Sequence, residues 1–322
     1  MTEMILAAGV SLAGTLLFGK LLLPVLRRLK LGQKILEIGP SWHKSKEGTP
    51  TMGGLFFMPA ITVAVIAAGW HETERGRYAH LFILLFAWIY GGIGFIDDLA
   101  KVRKKRNQGL TAPQKLLLQL SAAAAFLALL RQFEFISGKL TVPFTELVFE
   151  LPWPLYLTLG ILFVAGFVNA VNFTDGVDGL CAGVTLPVAA FFGLLALSLE
   201  NMGVSVFAGA LAGGLLGFLF FNFHPAKVFM GDTGALFLGG ALCGLAFAAD
   251  RPLPLLIAGL VYLIEILSVV LQVAFFKLTK GKRLFRMSPI HHHFEMGGWK
   301  ERKVFAVFSL VSAGCCVIAW FG

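Results

Sequence analysis

The chain has 322 residues, 57% of them hydrophobic, with a mean hydropathy of +0.80 and a formal net charge of +9. So apolar a composition excludes most soluble folds and fits many membrane spans. The basic surplus is concentrated in a few loops, so it reports orientation in a bilayer, and no nucleic-acid partner is expected.

Ten spans are predicted, at about 4–26, 51–70, 78–96, 116–131, 153–171, 180–199, 204–222, 233–249, 252–277 and 303–321. Most approach the ~20 residues a helix needs to cross ~30 Å of hydrocarbon. The first is read as a span and not a cleavable signal, because no small-residue cleavage site precedes a polar segment. The fourth and eighth are short. The ninth is long, about 39 Å at ~1.5 Å per residue, so it must tilt or break. It carries Glu265 and Gln272, and it is expected to open an apolar groove toward Asp97 and Asp98.

The loops alternate in charge. The first carries Arg27, Arg28, Lys30, Lys34, Lys44 and Lys46; the third carries Lys101, Arg103, Lys104, Lys105, Arg106 and Lys115. The ninth is also strongly basic, whereas the even loops carry only Arg75, Arg77, Arg131, Lys139 and Arg251. The odd loops are therefore expected on the cytoplasmic side, with both termini outside. In the fourth loop, apolar and polar residues alternate around Thr145-Glu146, which predicts a small external β-hairpin. Part of the ninth loop, with Phe294 and Trp299 among its charges, is expected to form an interfacial helix. With no internal repeat or linker, residues 1–322 are read as one domain: an all-α polytopic membrane protein. Cys181, Cys243, Cys315 and Cys316 lie in or at the edge of apolar runs and read as buried, inert thiols.

The chemistry-bearing residues fall at the ends of these spans, mostly at odd loops. Lys46 precedes Gly48-Thr49-Pro50-Thr51-Met52-Gly53-Gly54, which lacks the Gly-Lys-Ser/Thr ending of a phosphate-binding Walker loop. Lys46 and Lys115 could each meet phosphate as point charges, although Lys115 could equally snorkel from its span. Asp97 and Asp98 end the third span; adjacent carboxylates repel unless a cation neutralises them, and Lys101 could also serve as their partner. Asn169, Asn172, Asp175 and Asp178, with Gly176 and Gly179, read either as turn residues or as a polar ligand site. Asn222 and Phe229 could add an amide and an aromatic face. Asp232 opens the eighth span, as a helix cap, a metal ligand or both. His291, His292 and His293 cannot easily ligate one metal, since successive side chains diverge; one or two could donate to phosphate or move protons. Converging carboxylates near hydrocarbon suggest Mg2+ and phosphate chemistry. A transporter with intramembrane carboxylates is the rival class, but it should show inverted repeats and carboxylates at midplane.

Together these stretches resemble the MraY family of phospho-N-acetylmuramoyl-pentapeptide transferases, within the polyprenyl-phosphate N-acetylhexosamine-1-phosphate transferases. The resemblance rests on residues 48–54, 95–98, 169–180, 229–234 and 289–295 and spans nearly the whole chain. It implies a bacterial cytoplasmic-membrane enzyme of peptidoglycan biosynthesis, with its site on the cytoplasmic side. The substrates would be UDP-MurNAc-pentapeptide and undecaprenyl phosphate, with Mg2+ on Asp232. It implies essential roles for Asp97, Asp98 and His291. Nucleotide and phosphate contacts would fall to Lys46, Lys115, Asn169, Asn172, Asp175, Asp178, Asn222, Phe229, His292 and His293. The resemblance also implies a homodimer. A relative acting on a UDP-N-acetylhexosamine without peptide is the alternative within the enzymes.

Overall fold

The computed structural model describes residues 1–29, 46–104 and 109–322; Lys30, Lys34, Lys44, Lys105 and Arg106, counted among the loop charges, lie outside the described residues. The chain forms helices α1 (Thr2–Arg28), α2 (Gly54–Ala68), α3 (Trp70–Glu74), α4 (Ala79–Lys104) and α5 (Ala112–Gln132), then strands β1 (Lys139–Thr141) and β2 (Val148–Glu150). It continues through α6 (Trp153–Thr174), α7 (Leu180–Ser198), α8 (Met202–Asn222), α9 (Gly231–Ala248), α10 (Pro254–Ala258), α11 (Leu260–Leu278), α12 (Ile290–Glu295) and α13 (Glu301–Trp320). Among the described residues, nine of these helices are long and apolar enough to cross a membrane, and α2 is a shorter apolar helix. The chain is an all-α polytopic membrane protein with one small sheet.

Three spans differ from expectation, each for an identifiable reason. The second is helical only from Gly54, because the Gly53 and Gly54 amides donate to the Phe229 and Met230 carbonyls (2.8 and 3.1 Å) instead of joining the helix. The third runs past residue 96 to Lys104, so Asp97 and Asp98 lie within α4 and not at its end. Lys101 meets them at i,i+4 and i,i+3, the spacing at which helical side chains are neighbours. The ninth breaks at Gly259, between α10 and α11. The expected hairpin is present, pairing Lys139 with Glu150 and Thr141 with Val148. Within its turn, the Phe144 amide donates to the Gly322 carbonyl (3.4 Å), which puts the hairpin and the chain's last residue at one end of the bundle.

Helix α9 is the centre, nearly all of it buried and packed against α2, α4 and α6. It is rich in Gly and Ala, which lets neighbouring backbones approach closely where lipid offers no hydrophobic drive between helices. The closest approach carries the function. A Cβ on Gly94 of α4 would fall 2.1 Å from the carbonyl oxygen of Asp232, so only glycine lets α4 lie against the start of α9. That contact brings Asp97 and Asp98 beside Asp232.

Candidate active site

Three aspartates converge where α4 meets the first turn of α9. One carboxylate oxygen from each of Asp97, Asp98 and Asp232 lies within 4.8 Å of the others. Asp97 and Asp98 are buried, and Asp232 is partly so. Each spends one oxygen on the scaffold. Asp97 Oδ1 accepts from the Leu110 amide (2.7 Å). Asp98 Oδ2 accepts from the Thr233 amide and hydroxyl (2.9 and 2.8 Å), so it caps α9 from another helix by taking one of the orphan donors of the first turn. Asp232 Oδ1 accepts from Asn172 Nδ2 (3.0 Å).

Two lysines face the remaining oxygens. Lys101 lies one turn further along α4. Lys115 comes from the first turn of α5, whose start is set by a capping box between Thr111 and Gln114. Lys115 donates to Asp232 Oδ2 (2.7 Å) and to Asn172 Oδ1 (3.4 Å). Asn172 thus reads as a spacer that holds both a carboxylate and an ammonium. Asn169, one turn earlier, pairs with the buried Gln119 of α5 (2.7 Å) and braces α5 against α6.

The segment after α6 links this centre to a second cluster. Burial pushes the Asp175 carboxyl well above the usual carboxylate range; the charges of Asp232 and Asp98 add to the effect, and a hydrogen bond from the Gly231 amide opposes it. Three residues on, the buried Asp178 accepts from Lys46 Nζ (2.7 Å), from the Ala226 amide (3.0 Å) and pairs with His224 Nδ1 (3.0 Å). Glu301, at the start of α13, also accepts from Lys46 (2.5 Å). Asn222 is a brace: it accepts from the Gly179 amide (3.1 Å) and donates to the Val228 carbonyl (2.9 Å). Phe229 is held by its backbone, its amide donating to Pro50 (2.8 Å), which leaves a half-buried ring.

The histidines stand on α12, a six-residue helix. His292 Nδ1 pairs with Glu295 (2.7 Å), and His293 Nδ1 accepts from the Arg286 amide (3.2 Å). His291 is fully buried, and its Nδ1 pairs with the fully buried Glu265 of α11 (3.0 Å). The Glu265 carboxyl beside Nδ1 fixes the orientation of the ring. Among the described residues, His291 Nε2 has no hydrogen-bond partner. It is aimed at Gly176, where a Cβ would fall 2.2 Å from it.

Lys101, His224, Glu265 and Glu301 were not in the expected site. Of these only Lys101 had a local signal, its helical spacing from Asp97 and Asp98. The donor set suits a hard cation: carboxylate oxygens, each already anchored on its far side. The Asp178, His224 and Glu301 ligand atoms also lie within 4.8 Å of one another, but the Lys46 ammonium stands among them.

Residues 80–250 match glycosyl transferase family 4, and residues 46–58 match phospho-N-acetylmuramoyl-pentapeptide-transferase signature 1. The chain is 43% identical to a phospho-N-acetylmuramoyl-pentapeptide-transferase of Clostridium acetobutylicum, over 97% of this chain and 96% of the relative. It is 43% identical to one from Carboxydothermus hydrogenoformans over 100% of this chain and 98% of the relative. It is 44% identical to one from Listeria welshimeri over 89% of this chain and 88% of the relative.

The Glu265–His291 pair is testable on its own. Glu265→Ala leaves a buried imidazole nitrogen without its partner and should cost about 1–3 kcal/mol of stability. Glu265→Gln keeps the shape and removes the carboxyl; turnover should fall by at least ~10-fold, the scale of a lost partner that orients a working histidine. Thermal denaturation in detergent and steady-state kinetics read the two effects. Wild-type turnover in Glu265→Gln would show that His291 does not depend on the carboxylate.

Proposed function

The chain belongs to the phospho-N-acetylmuramoyl-pentapeptide-transferase family, and from that premise we propose the reaction it performs and the residues that perform it. The protein transfers phospho-MurNAc-pentapeptide from UDP-MurNAc-pentapeptide to undecaprenyl phosphate, giving lipid I and UMP in peptidoglycan synthesis. An oxygen of the lipid phosphate attacks the sugar-linked phosphorus, and the bond from that phosphorus to the oxygen bridging it to UMP breaks. One pyrophosphate replaces another, so catalysis must come from positioning and charge neutralisation. The observation that carries this reading is the meeting of Asp97, Asp98 and Asp232 with Lys115, inside a chain of this family.

In this reading Asp232, with Asp97 and Asp98, would hold Mg2+, which when bound would neutralise charge on the phosphates. Lys115 adds a point charge beside it. Asp98 commits Oδ2 to capping α9, which leaves Oδ1 to face the ion. Asp97 is the better placed to act on the lipid phosphate. His291 turns Nε2 toward the 175–179 segment, where a proton donor or acceptor is needed. Lys46, Asp178 and the ring of Phe229 would receive the nucleotide, with Asn169, Asn172, Asp175, Asn222, His292 and His293 binding it or shaping its site. The polyprenyl chain would lie against α11, whose Leu260, Ile264, Leu267, Val270 and Leu271 are exposed. The charge asymmetry supports a site on the cytoplasmic face, and the family resemblance supports a bacterial cytoplasmic membrane and a homodimer.

Purified protein with undecaprenyl phosphate should release UMP from UDP-MurNAc-pentapeptide and not from UDP-GlcNAc. A chelator or Asp232→Asn should abolish release while leaving the protein folded. Equal release from UDP-GlcNAc would place the chain among the transferases that need no peptide, and near-normal turnover of Asp232→Asn would remove Asp232 from the centre. A phosphate monoester has its second pKa near ~6 and is largely ionised at neutral pH. If Asp97 removes a proton, Asp97→Asn should regain activity as pH rises through that value. A uniformly inactive variant assigns Asp97 a charge role instead, and a fully active one removes it from the site.

A further inference from the structure

The scaffold leaves three carboxylate oxygens free of backbone and hydroxyl partners: Asp97 Oδ2, Asp98 Oδ1 and Asp232 Oδ2. The Lys101 ammonium meets all three, at 2.8, 3.5 and 2.8 Å. An ammonium has three N–H donors, one for each oxygen. Lys115 stands differently. It contacts Asp232 Oδ2 at 2.7 Å and approaches Asp97 Oδ2 only to 3.8 Å. Lys101 therefore lies at the focus of the triad and Lys115 at its side.

Oxygens that surround one ammonium also surround the point a hard divalent cation would take. The two cations repel at contact distance and cannot share that point. We propose that Lys101 is a resident counter-ion of this centre, competing with the divalent cation for the same three carboxylate oxygens and turned outward when the cation loads. This rests on reading Asp97, Asp98 and Asp232 as the divalent-ion centre. The long, flexible lysine stem allows the movement, and the side chain is 22% exposed and not sealed in the bundle. Two consequences follow. The site's affinity for the ion is held down by a charge on the adjacent helical turn. Loading the ion also releases a second positive charge beside the place where phosphates would bind.

The test is Mn2+ binding to the full-length detergent-solubilised protein without substrates, followed by electron paramagnetic resonance. Lys101→Met removes the competitor and should bind Mn2+ more tightly, by on the order of tenfold or more. Equal or weaker binding by Lys101→Met overturns the competition. Absence of saturable Mn2+ binding by the wild type overturns the underlying reading of the centre, and the competition falls with it. A second measurement needs no variant at Lys101. Amine labelling of the wild-type protein, mapped by mass spectrometry, should rise at Lys101 when Mg2+ is added and stay unchanged when Asp232→Asn is treated in the same way. Labelling of wild-type Lys101 that is unchanged or reduced by Mg2+ overturns the proposal even if Lys101→Met does not fold.

Discussion

Three carboxylates brought to one point in a membrane bundle repel one another, and the rest of this site is arranged around that repulsion. Each acid is held by a donor on its far side: the Leu110 amide, the Thr233 amide and hydroxyl, or the Asn172 amide. The remaining oxygens face lysines from α4 and α5. Such an arrangement requires α4 to lie against α9 more closely than any side chain at residue 94 would permit. Gly94 of α4 is thus tied to chemistry through distance: it sets how near the acids come.

The same economy recurs around the second cluster. Lys46, Asp178, His224 and Glu301 come from four separate stretches, and their mutual contacts join the segments before α2 and α7 to the start of α13. Asn222 joins the Gly179 amide to the Val228 carbonyl. Residues that read in sequence as ligand contacts therefore include some that fasten the loops around the site. A polar side chain buried near a bilayer must find a partner, and here the partners are the loop backbones that define the site.

Much of the fold was legible because the bilayer imposes a length on each span and a sign on each loop. A tilt or a break in the ninth span was expected from length alone, and the break falls at Gly259. The late start of α2 was not legible, since it depends on backbone pairing of Gly53 and Gly54 with a segment far along the chain. The acids of the centre stood out because carboxylates are costly near hydrocarbon. Lys101 was readable as their helical neighbour, though not its contact with Asp232, 131 residues away. Glu265 with His291, and Lys46 with Glu301, are separated by 26 and 255 residues. No local pattern in the sequence encodes such pairs; only the folded bundle does.

The central claim is that the free oxygens of Asp97, Asp98 and Asp232 form the divalent-ion centre of a phosphoryl-transfer site. Anomalous scattering from crystals of the full-length protein grown with Mn2+ tests it most directly. A single strong peak within bonding distance of Asp232 Oδ2 and of Asp97 or Asp98 is the predicted result. A peak among Asp178, His224 and Glu301 with none at Asp232 would contradict it.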